Sequence, residues 1–406
     1  MLLGNKLLEL ELKKSFDFFW NEANSNENNL GYGLIKDRYP THQNIASIAS
    51  VGFSLTAYII GVERGYVDYQ SAYKRTAKTL DTVLNNLENI NGFYYHFVDM
   101  NTGKRIGKCE ISVIDTAILL CGAIAAGEYF GGEIKEKAET LYARTNWKWY
   151  TDPNKNYFYM GYSPERGFEG YWDMCAEQFM MYFLGFASPT YPVDPSMFYT
   201  FRRNKKSYNG LPEIYHSPGG SLFVYQFSFA WFDLRNMVDN QNVNWWENSK
   251  YATLSNRQYC IDYQDKFKTF GPNSWGLTAC DGPNGYSGSY GAPPKDSEEI
   301  HLGNDGTVPP CGSAGSIVFT PDESISALEN FYNNFPKLWG IYGFKDSFNL
   351  ENDNEWYATD VIGIDKGITI IMIENYLSGL IWDIFMKNKY VKKGIELAGL
   401  RKINDN

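Results

Sequence analysis

Histidine is scarce in this chain. Only His42, His96, His216 and His301 occur among 406 residues, too few and too scattered for a histidine-built metal centre to be expected. The six cysteines (Cys109, Cys121, Cys175, Cys260, Cys280 and Cys311) form no CxxC pair, and several lie in apolar sequence. Free buried thiols are therefore expected, rather than a disulfide framework or a zinc site. Basic charge is short as well: 37 Lys and Arg face 47 Asp and Glu, for a net charge of −10. With no long basic stripe to offset that balance, a nucleic-acid backbone is not an expected partner. The longest apolar run, "TAILLCGAIAAG" (116–127), is shorter than a bilayer span requires, so no membrane partner is expected. The opening "MLLGNKLLELELKKSFDFFW" interleaves charge with leucine and has no clean apolar core of a secretory signal, which makes the cytoplasm the expected compartment. A GxSxG elbow, a P-loop and a dinucleotide fingerprint in a strand-to-helix context are all missing. Serine–histidine nucleophilic catalysis and nucleotide chemistry thus have no support, and no cofactor is called for.

What the chain has in abundance is aromatic residues and carboxylates. Aromatics make up 17% of it, with 31 Tyr and 11 Trp. Tyrosine hydroxyls need partners when buried, whereas a cleft that stacks on sugar rings and bonds their hydroxyls uses such residues well. An AT-rich coding bias would enrich the same residues and carries equal weight from composition alone. Apolar spacing predicts helices over 5–24, 42–64, 69–89, 110–130, 133–146, 172–186, 194–204, 223–238, 243–268, 321–334, 367–387 and 389–399. Thr320-Pro321 with Glu323 reads as a capping box, Asp194-Pro195 as a second helix start, and the glycines after "GEYF" as a helix stop. "GFYYHFVDMNTGKRI" (92–106) reads as a hairpin turning at Asn101-Thr102-Gly103. About a dozen helices joined by long loops, with no linker between unlike halves, suggest one domain over residues 1–406. The expected architecture is an all-α (α/α)6 barrel with a few short β-hairpins.

Four stretches could carry chemistry. In "EGYWDMCAEQFMMYFLG" (169–185), Glu169, Asp173 and Glu177 are spaced four apart, which on a helix would put three like charges on one face. Glu169 reads as preceding loop and Asp173 as first turn, whereas Glu177 lies among Met and Phe and needs a partner or a raised pKa. In "CEISVIDTAILLCGAI" (109–124), Glu110 and Ser112 suit helix capping. Asp115 lies deeper, where partial desolvation fits acid/base work. "PNSWGLTACDGPNGYSGSYGAPP" (272–294) has the look of a binding loop, with Trp275, Tyr286 and Tyr290 as flat faces and Asp281 as a hydroxyl partner or an Asx turn. In "ATDVIGIDKGITIIMIENYLSGLIW" (358–382), Asp360 and Asp365 precede an apolar helix, and Glu374 sits among Ile and Met. Semi-buried carboxylates without a His or Cys centre are the set that glycoside cleavage needs: one acid to protonate the leaving oxygen, one carboxylate to activate water or attack carbon.

Taken in order, several stretches resemble the glucoamylase-like domain family, which includes bacterial endo-β-1,2-glucanases and the corresponding domain of cyclic β-1,2-glucan synthases. The matching segments include "FDFFWNEAN", "GYGLIKDR", "SIASVGFSLTAYIIGVERG", "SVIDTAILLCGAI", "WDMCAEQFMMYFLGFASPTYP", "SWGLTACDGPNGY", "DGTVPPCGSAGSIVFTPDES" and "DVIGIDKGITIIMIENYLSGLIW". They are colinear from residue 16 to 386. The resemblance implies an (α/α)6 barrel and a glycoside hydrolase acting on a glucan or gluco-oligosaccharide, with β-1,2 linkage favoured. It implies Glu177 as general acid, Asp365 as first choice for base and Asp115 as a third catalytic carboxylate. It also implies Trp20, Asp37, Arg38, Trp172, Trp275 and Asp281 as substrate contacts, to which the residues themselves add Asp173 and Tyr286, and no metal is expected. Cys175-Ala176 and Cys280 depart from the family's usual residues beside the site. The alternatives are a carbohydrate-binding protein that keeps the barrel without turnover and a retaining transglycosylase of β-1,2-glucans.

Overall fold

The structure, a computed structural model, describes residues 4–351 and 355–403. Among them are twelve α-helices: α1 Asn5–Asn21, α2 Ile48–Glu63, α3 Tyr69–Asn85, α4 Val113–Phe130, α5 Gly132–Arg144, α6 Phe179–Ala187, α7 Trp245–Asp262, α8 Pro310–Gly315, α9 Pro321–Asn334, α10 Gly363–Leu377, α11 Leu380–Phe385 and α12 Lys389–Leu397. The fold is helix-rich, but it carries more sheet than the sequence pattern suggests. Most strands are two or three residues long and pair locally, while one six-stranded sheet is built around Tyr157–Ser163.

The helices fall into two kinds. In α2 every residue from Ile48 to Gly61 is buried, and in α4 every residue from Asp115 to Gly127. All nine residues of α6 and the run Lys366–Asn375 of α10 are buried too. Helices apolar all round belong inside a protein, whereas α3, α5 and α12 bury one stripe and expose the other, as outer helices do. Small residues set how closely the inner helices approach. A Cβ on Gly122 would lie 1.9 Å from the Gly52 carbonyl oxygen, so α2 and α4 meet backbone to backbone. A Cβ on Gly367 would lie 2.1 Å from the Phe53 ring, which seats α10 on α2 in the same way. By length and composition α4 could cross a bilayer, yet 83% of it is buried within the protein.

The inner helices start later than apolar spacing predicts, because short strands lead into them. Ile45–Ser47 runs into α2 and Ile111–Ser112 into α4, and the side chains of Ser47 and Ser112 cap those helices by accepting from Ser50 N–H and Asp115 N–H. Val361–Ile362 runs into α10, which begins at Gly363 and so takes Asp365 into its first turn. The helix expected over 367–387 is split at Ser378-Gly379, where Gly379 takes φ 72° and α11 begins. The segment 223–238 is not a helix. It forms 3₁₀ turns at Leu222–Tyr225 and Phe227–Ala230, then a strand at Met237–Val238. The 194–204 expectation reduces to one 3₁₀ turn, Pro195–Tyr199, capped by Asp194 as its sequence suggests. At α9 the Thr320 side chain makes no cap, and its hydroxyl meets Ser324 instead. Only the second half of the 92–106 hairpin folds as such, with Ile106 N–H on Phe97 O and Asp99 N–H on Lys104 O. Phe93–Tyr95 pairs with Asn89–Ile90 and Ile111–Ser112.

Candidate active site

Three buried helices bring their N-terminal ends to one cavity of about 140 Å³. Asp115 sits in the first turn of α4, Asp365 in the first turn of α10, and Glu177 two residues ahead of α6. All three carboxylates line the cavity, together with His96 and Tyr286. Its remaining walls are apolar: Ile114, Ile118, Ile364, Ala279, and Phe223 and Phe227 from the two 3₁₀ turns. Helix N-termini favour negative charge, which gives a backbone reason for carboxylates to collect here.

The stretch 172–178 is not helical, so Glu169, Asp173 and Glu177 do not share a helical face. Glu169 lies in the strand Gly167–Tyr171 and pairs with Arg166 at 2.9 Å. Asp173 is at a half-buried position, with Arg202 Nη2 3.8 Å away. The chain turns into α6 with outside help. The Ser228 hydroxyl accepts from Met180 N–H at 3.2 Å and donates to the Glu177 carbonyl at 2.7 Å, capping the helix from a distant segment. That bond holds Glu177 at the mouth of α6 among apolar walls, with 8% of its surface exposed. Burial pushes its carboxyl up to about 7, and the nearby Asp115 charge adds to the push.

Asp365 has a different neighbourhood. Burial again raises its carboxyl, and Asp281 and Asp37 push the same way, against hydrogen bonding from Asp346 and Cys311. Arg38 holds this acidic group together. Its Nη1 meets both oxygens of Asp281 at 3.1 and 2.9 Å and lies 3.5 Å from Asp360, while its Nε lies 3.4 Å from Asp37. Burial raises the Asp37 carboxyl as well. Asp281 and Tyr286 face each other across a two-stranded hairpin, Cys280–Gly282 with Gly285–Ser287, and Tyr286 leaves half its surface open at the cavity.

His96, Glu110 and Asp115 are the one group among the described residues whose ligand atoms cluster tightly enough to suggest a metal. The geometry fits a charged imidazole better. Nδ1 lies 2.9 Å from Glu110 Oε1 and Nε2 3.7 Å from Asp115 Oδ2, so each ring nitrogen faces its own carboxylate. Burial works against the charged ring, but the two carboxylates outweigh it and push His96 up to about 9. Its stacking on Phe97, with centroids 3.9 Å apart, fixes the plane.

Of the residues singled out from sequence, Glu177, Asp365, Asp115 and Tyr286 meet in the cavity, and Asp37, Arg38 and Asp281 form the layer beside Asp365. The three tryptophans do not join them. Trp275 is fully buried, with its carbonyl accepting from the Ser313 hydroxyl, so it has no ring face to offer a sugar. Trp172 is 5% exposed and packs into the core. Trp20 has the Arg75 guanidinium 3.5 Å over its ring and Phe16 stacked against it. Indole area in these matches builds the core. Sequence reasoning missed His96, Asp346, Phe223 and Phe227. For His96 there was a signal in "FYYHFVD", a lone polar residue in an aromatic run. Asp346 in "GFKDSFN" carried none, because its role depends on a residue nineteen positions away.

The family described as "Putative glucoamylase" matches residues 169–389, more than half of the chain. The chain is 28% identical over 434 residues to a protein named exo β-1,2-glucooligosaccharide sophorohydrolase (non-reducing end) from Parabacteroides distasonis. That alignment takes in 97% of this chain but spans only 58% of the relative's length. Among solved structures, a putative glucoamylase from Bacteroides uniformis is 30% identical, covers 98% of both chains and superposes with a TM-score of 0.88. The endo-β-1,2-glucanase of Chitinophaga pinensis, solved with sophorotriose and glucose, is 25% identical, again with 98% of both chains covered and a TM-score of 0.87. On the family match and on full-length likeness at that identity, this chain belongs to the glucoamylase-like family.

Proposed function

We propose that this chain is a glycoside hydrolase of β-1,2-linked glucan or gluco-oligosaccharides, built on an (α/α)6 toroid with α2, α4, α6 and α10 in its inner layer. The observation that carries the reading is the pairing of Glu177 and Asp365 in one cavity, each carboxyl raised above its ordinary range by burial, with side-chain hydrogen bonding opposing the rise at Asp365. Glu177, shielded by apolar walls, keeps a proton to near-neutral pH and is placed to give it to the glycosidic oxygen as the bond breaks. Asp365, hydrogen-bonded on its far side, takes a proton from the water that attacks the anomeric carbon. Asp115, bonded by the Ser112 hydroxyl and facing His96, adds its charge to the burial that raises Glu177. Tyr286 offers an open aromatic face at the mouth and Arg38 orders the acidic layer behind Asp365. The β-1,2 linkage is supported by the names of the relatives from Parabacteroides and Chitinophaga.

The test is an activity screen of the purified protein on β-1,2-, β-1,3-, β-1,4- and α-1,4-glucans, with products followed by proton NMR. Short β-1,2-oligosaccharides, formed first with inverted anomeric configuration, are the expected result. Glu177→Gln is expected to bind oligosaccharide while losing turnover. Cleavage of the α-1,4-glucan alone would overturn the substrate, binding without cleavage of any glucan would leave a carbohydrate-binding protein, and retained configuration would make Asp365 a nucleophile.

A further inference from the structure

Behind Asp365, on the side away from the active cavity, lies a second space of about 10 Å³, enough for a single water at most. Its walls include Asp365, Asp346, Cys311 and the buried ion pair of Lys366 with Glu11, whose Nζ–Oε1 distance is 2.6 Å. Asp365 is the one residue that lines both spaces. Asp346 is nearly sealed, at 3% exposure, in the turn between the strands Gly343–Phe344 and Phe348–Asn349. Its backbone N–H donates to Asp360 O at 2.9 Å, and its Oδ2 accepts from Asp281 N–H at 2.6 Å. That leaves Asp346 Oδ1 and Asp365 Oδ2, both sealed from solvent and neither within hydrogen-bond geometry of a donor among the described residues. The two carboxyls are within hydrogen-bonding reach of each other.

Charge leads to the same place. Asp37, Asp281, Asp346, Asp360 and Asp365 gather around a single guanidinium, Arg38, which is engaged by Asp37, Asp281 and Asp360. Lys366 is taken by Glu11, and Lys345 is turned to the Lys337 carbonyl. The other groups facing the pair are the Cys280 and Cys311 thiols, held neutral by burial, and the Tyr286 phenol, whose ring is half exposed and whose hydroxyl is raised by burial and by the Asp365 and Asp346 charges. His96 is engaged by Glu110 and Asp115, so among the described residues no cation is free to separate the two carboxyls, and two neighbouring sealed oxygens without a donor are best accommodated by a shared proton.

We propose that Asp346 is a positioning residue for Asp365, remaining a neutral carboxylic acid through the working pH and donating its O–H to Asp365 Oδ2. This rests on Asp365 being the base. The bond fixes which of the two aspartates ionises, stabilises Asp365 in its ionised form and turns its other oxygen towards the substrate cavity. Burial and the Asp365 charge both raise Asp346, in accord with that arrangement. A neutral acid retained to donate one hydrogen bond has a close substitute in an amide, whereas an ionised carboxylate does not.

The variants Asp346→Asn and Asp346→Ala separate these cases. Asp346→Asn, which still donates, is expected to keep kcat/KM within about threefold and to leave the acid limb of the pH–rate profile in place. Asp346→Ala is expected to lower kcat about tenfold or more and to move that limb up by about one pH unit, since the donor that stabilises ionised Asp365 is gone. Loss in Asp346→Asn as deep as in Asp365→Asn, or an unmoved limb in Asp346→Ala, would overturn the proposal. A readout independent of turnover is the infrared difference between wild type and Asp346→Asn at about pH 8. A neutral carboxylic C=O band in wild type that is absent from the variant is expected, and carboxylate bands alone would overturn it. That measurement stands if Asp346→Ala does not fold. It also separates the two claims, because a chain inactive on every glucan that still shows the band would refute the hydrolase reading and keep the shared proton.

Discussion

The two sides of the cavity hold the same functional group and treat it in opposite ways. Glu177 shares its cavity with Ile and Phe walls and with Asp115, and its carboxyl rises chiefly because water has been removed. Around Asp365 stand four more aspartates, one arginine and a thiol, beside a small chamber that Pro310, Ala314, Phe344, Val361 and Ile362 also line. There the rise from burial and like charge is checked by hydrogen bonds. Desolvation alone suits a group that must hold a proton, while a hydrogen-bonded carboxylate is better able to lose one. On the proposed assignment, the difference in surroundings, more than the identity of the residues, divides acid from base.

The largest effect expected from breaking that division is on turnover. Glu177→Gln and Asp365→Asn should each reduce kcat on β-1,2-glucan by about 10³-fold, within the range of acid/base contributions. The comparison sharpens with a β-sophoroside carrying a nitrophenyl leaving group, which needs no protonation. Steady-state assays should show Glu177→Gln regaining most of its activity there and Asp365→Asn regaining none. In wild type, activity should fall above about pH 7 as Glu177 ionises and fall again on the acid side as Asp365 takes up its proton, and each variant should lack its own limb.

Next in size is a test of the tryptophans. Trp275→Ala removes a fully buried indole and should cost about 3–5 kcal/mol of stability in denaturant unfolding, with KM unchanged for the folded fraction. A raised KM at full stability would restore the sugar contact that the sequence match implies. Glu177 also affects stability on its own account. Its carboxyl is raised from 4.5 to about 7, so as pH climbs through that window the unfolded chain gives up a proton that the folded protein retains. Stability is present in full below pH 4.5 and declines by about 3 kcal/mol by the time the folded group ionises. Glu177→Gln should lack that decline in a pH series of urea melts. The smallest effect is expected at Tyr286, an open ring at the cavity mouth. Tyr286→Ala should raise KM several-fold, by about 1 kcal/mol of binding, with kcat little changed.

Much of this was legible from residues alone. The all-round apolar runs of 48–61 and 116–127 identify inner helices without reference to any partner, because no exposed helix tolerates them. Glu177, Asp115 and Glu374 stood out as carboxylates in apolar surroundings that need compensation, while the choice of Asp365 came from the family resemblance. Less legible were the helix starts. Ser228, fifty-one residues beyond Glu177, caps α6 and keeps 172–178 out of the helix, and nothing in "WDMCAEQF" announces it. Aromatic content misled in the opposite direction. A tryptophan in a matched motif looks like a stacking platform, but whether its face meets a sugar or a phenylalanine depends on packing, and here Trp20 and Trp275 are packed.

The sequence by itself determined the helix-rich class and singled out carboxylates in apolar surroundings as the candidate chemistry, since the cost of burying an unpaired charge is written in local neighbours. Tertiary structure alone decided what raises and what lowers each carboxyl. That depends on groups brought together from distant parts of the chain: Asp115 beside Glu177, and Asp346, Asp281 and Asp37 beside Asp365. Electrostatic interaction falls with distance in space and takes no account of separation along the chain, so no reading of spacing could have supplied it.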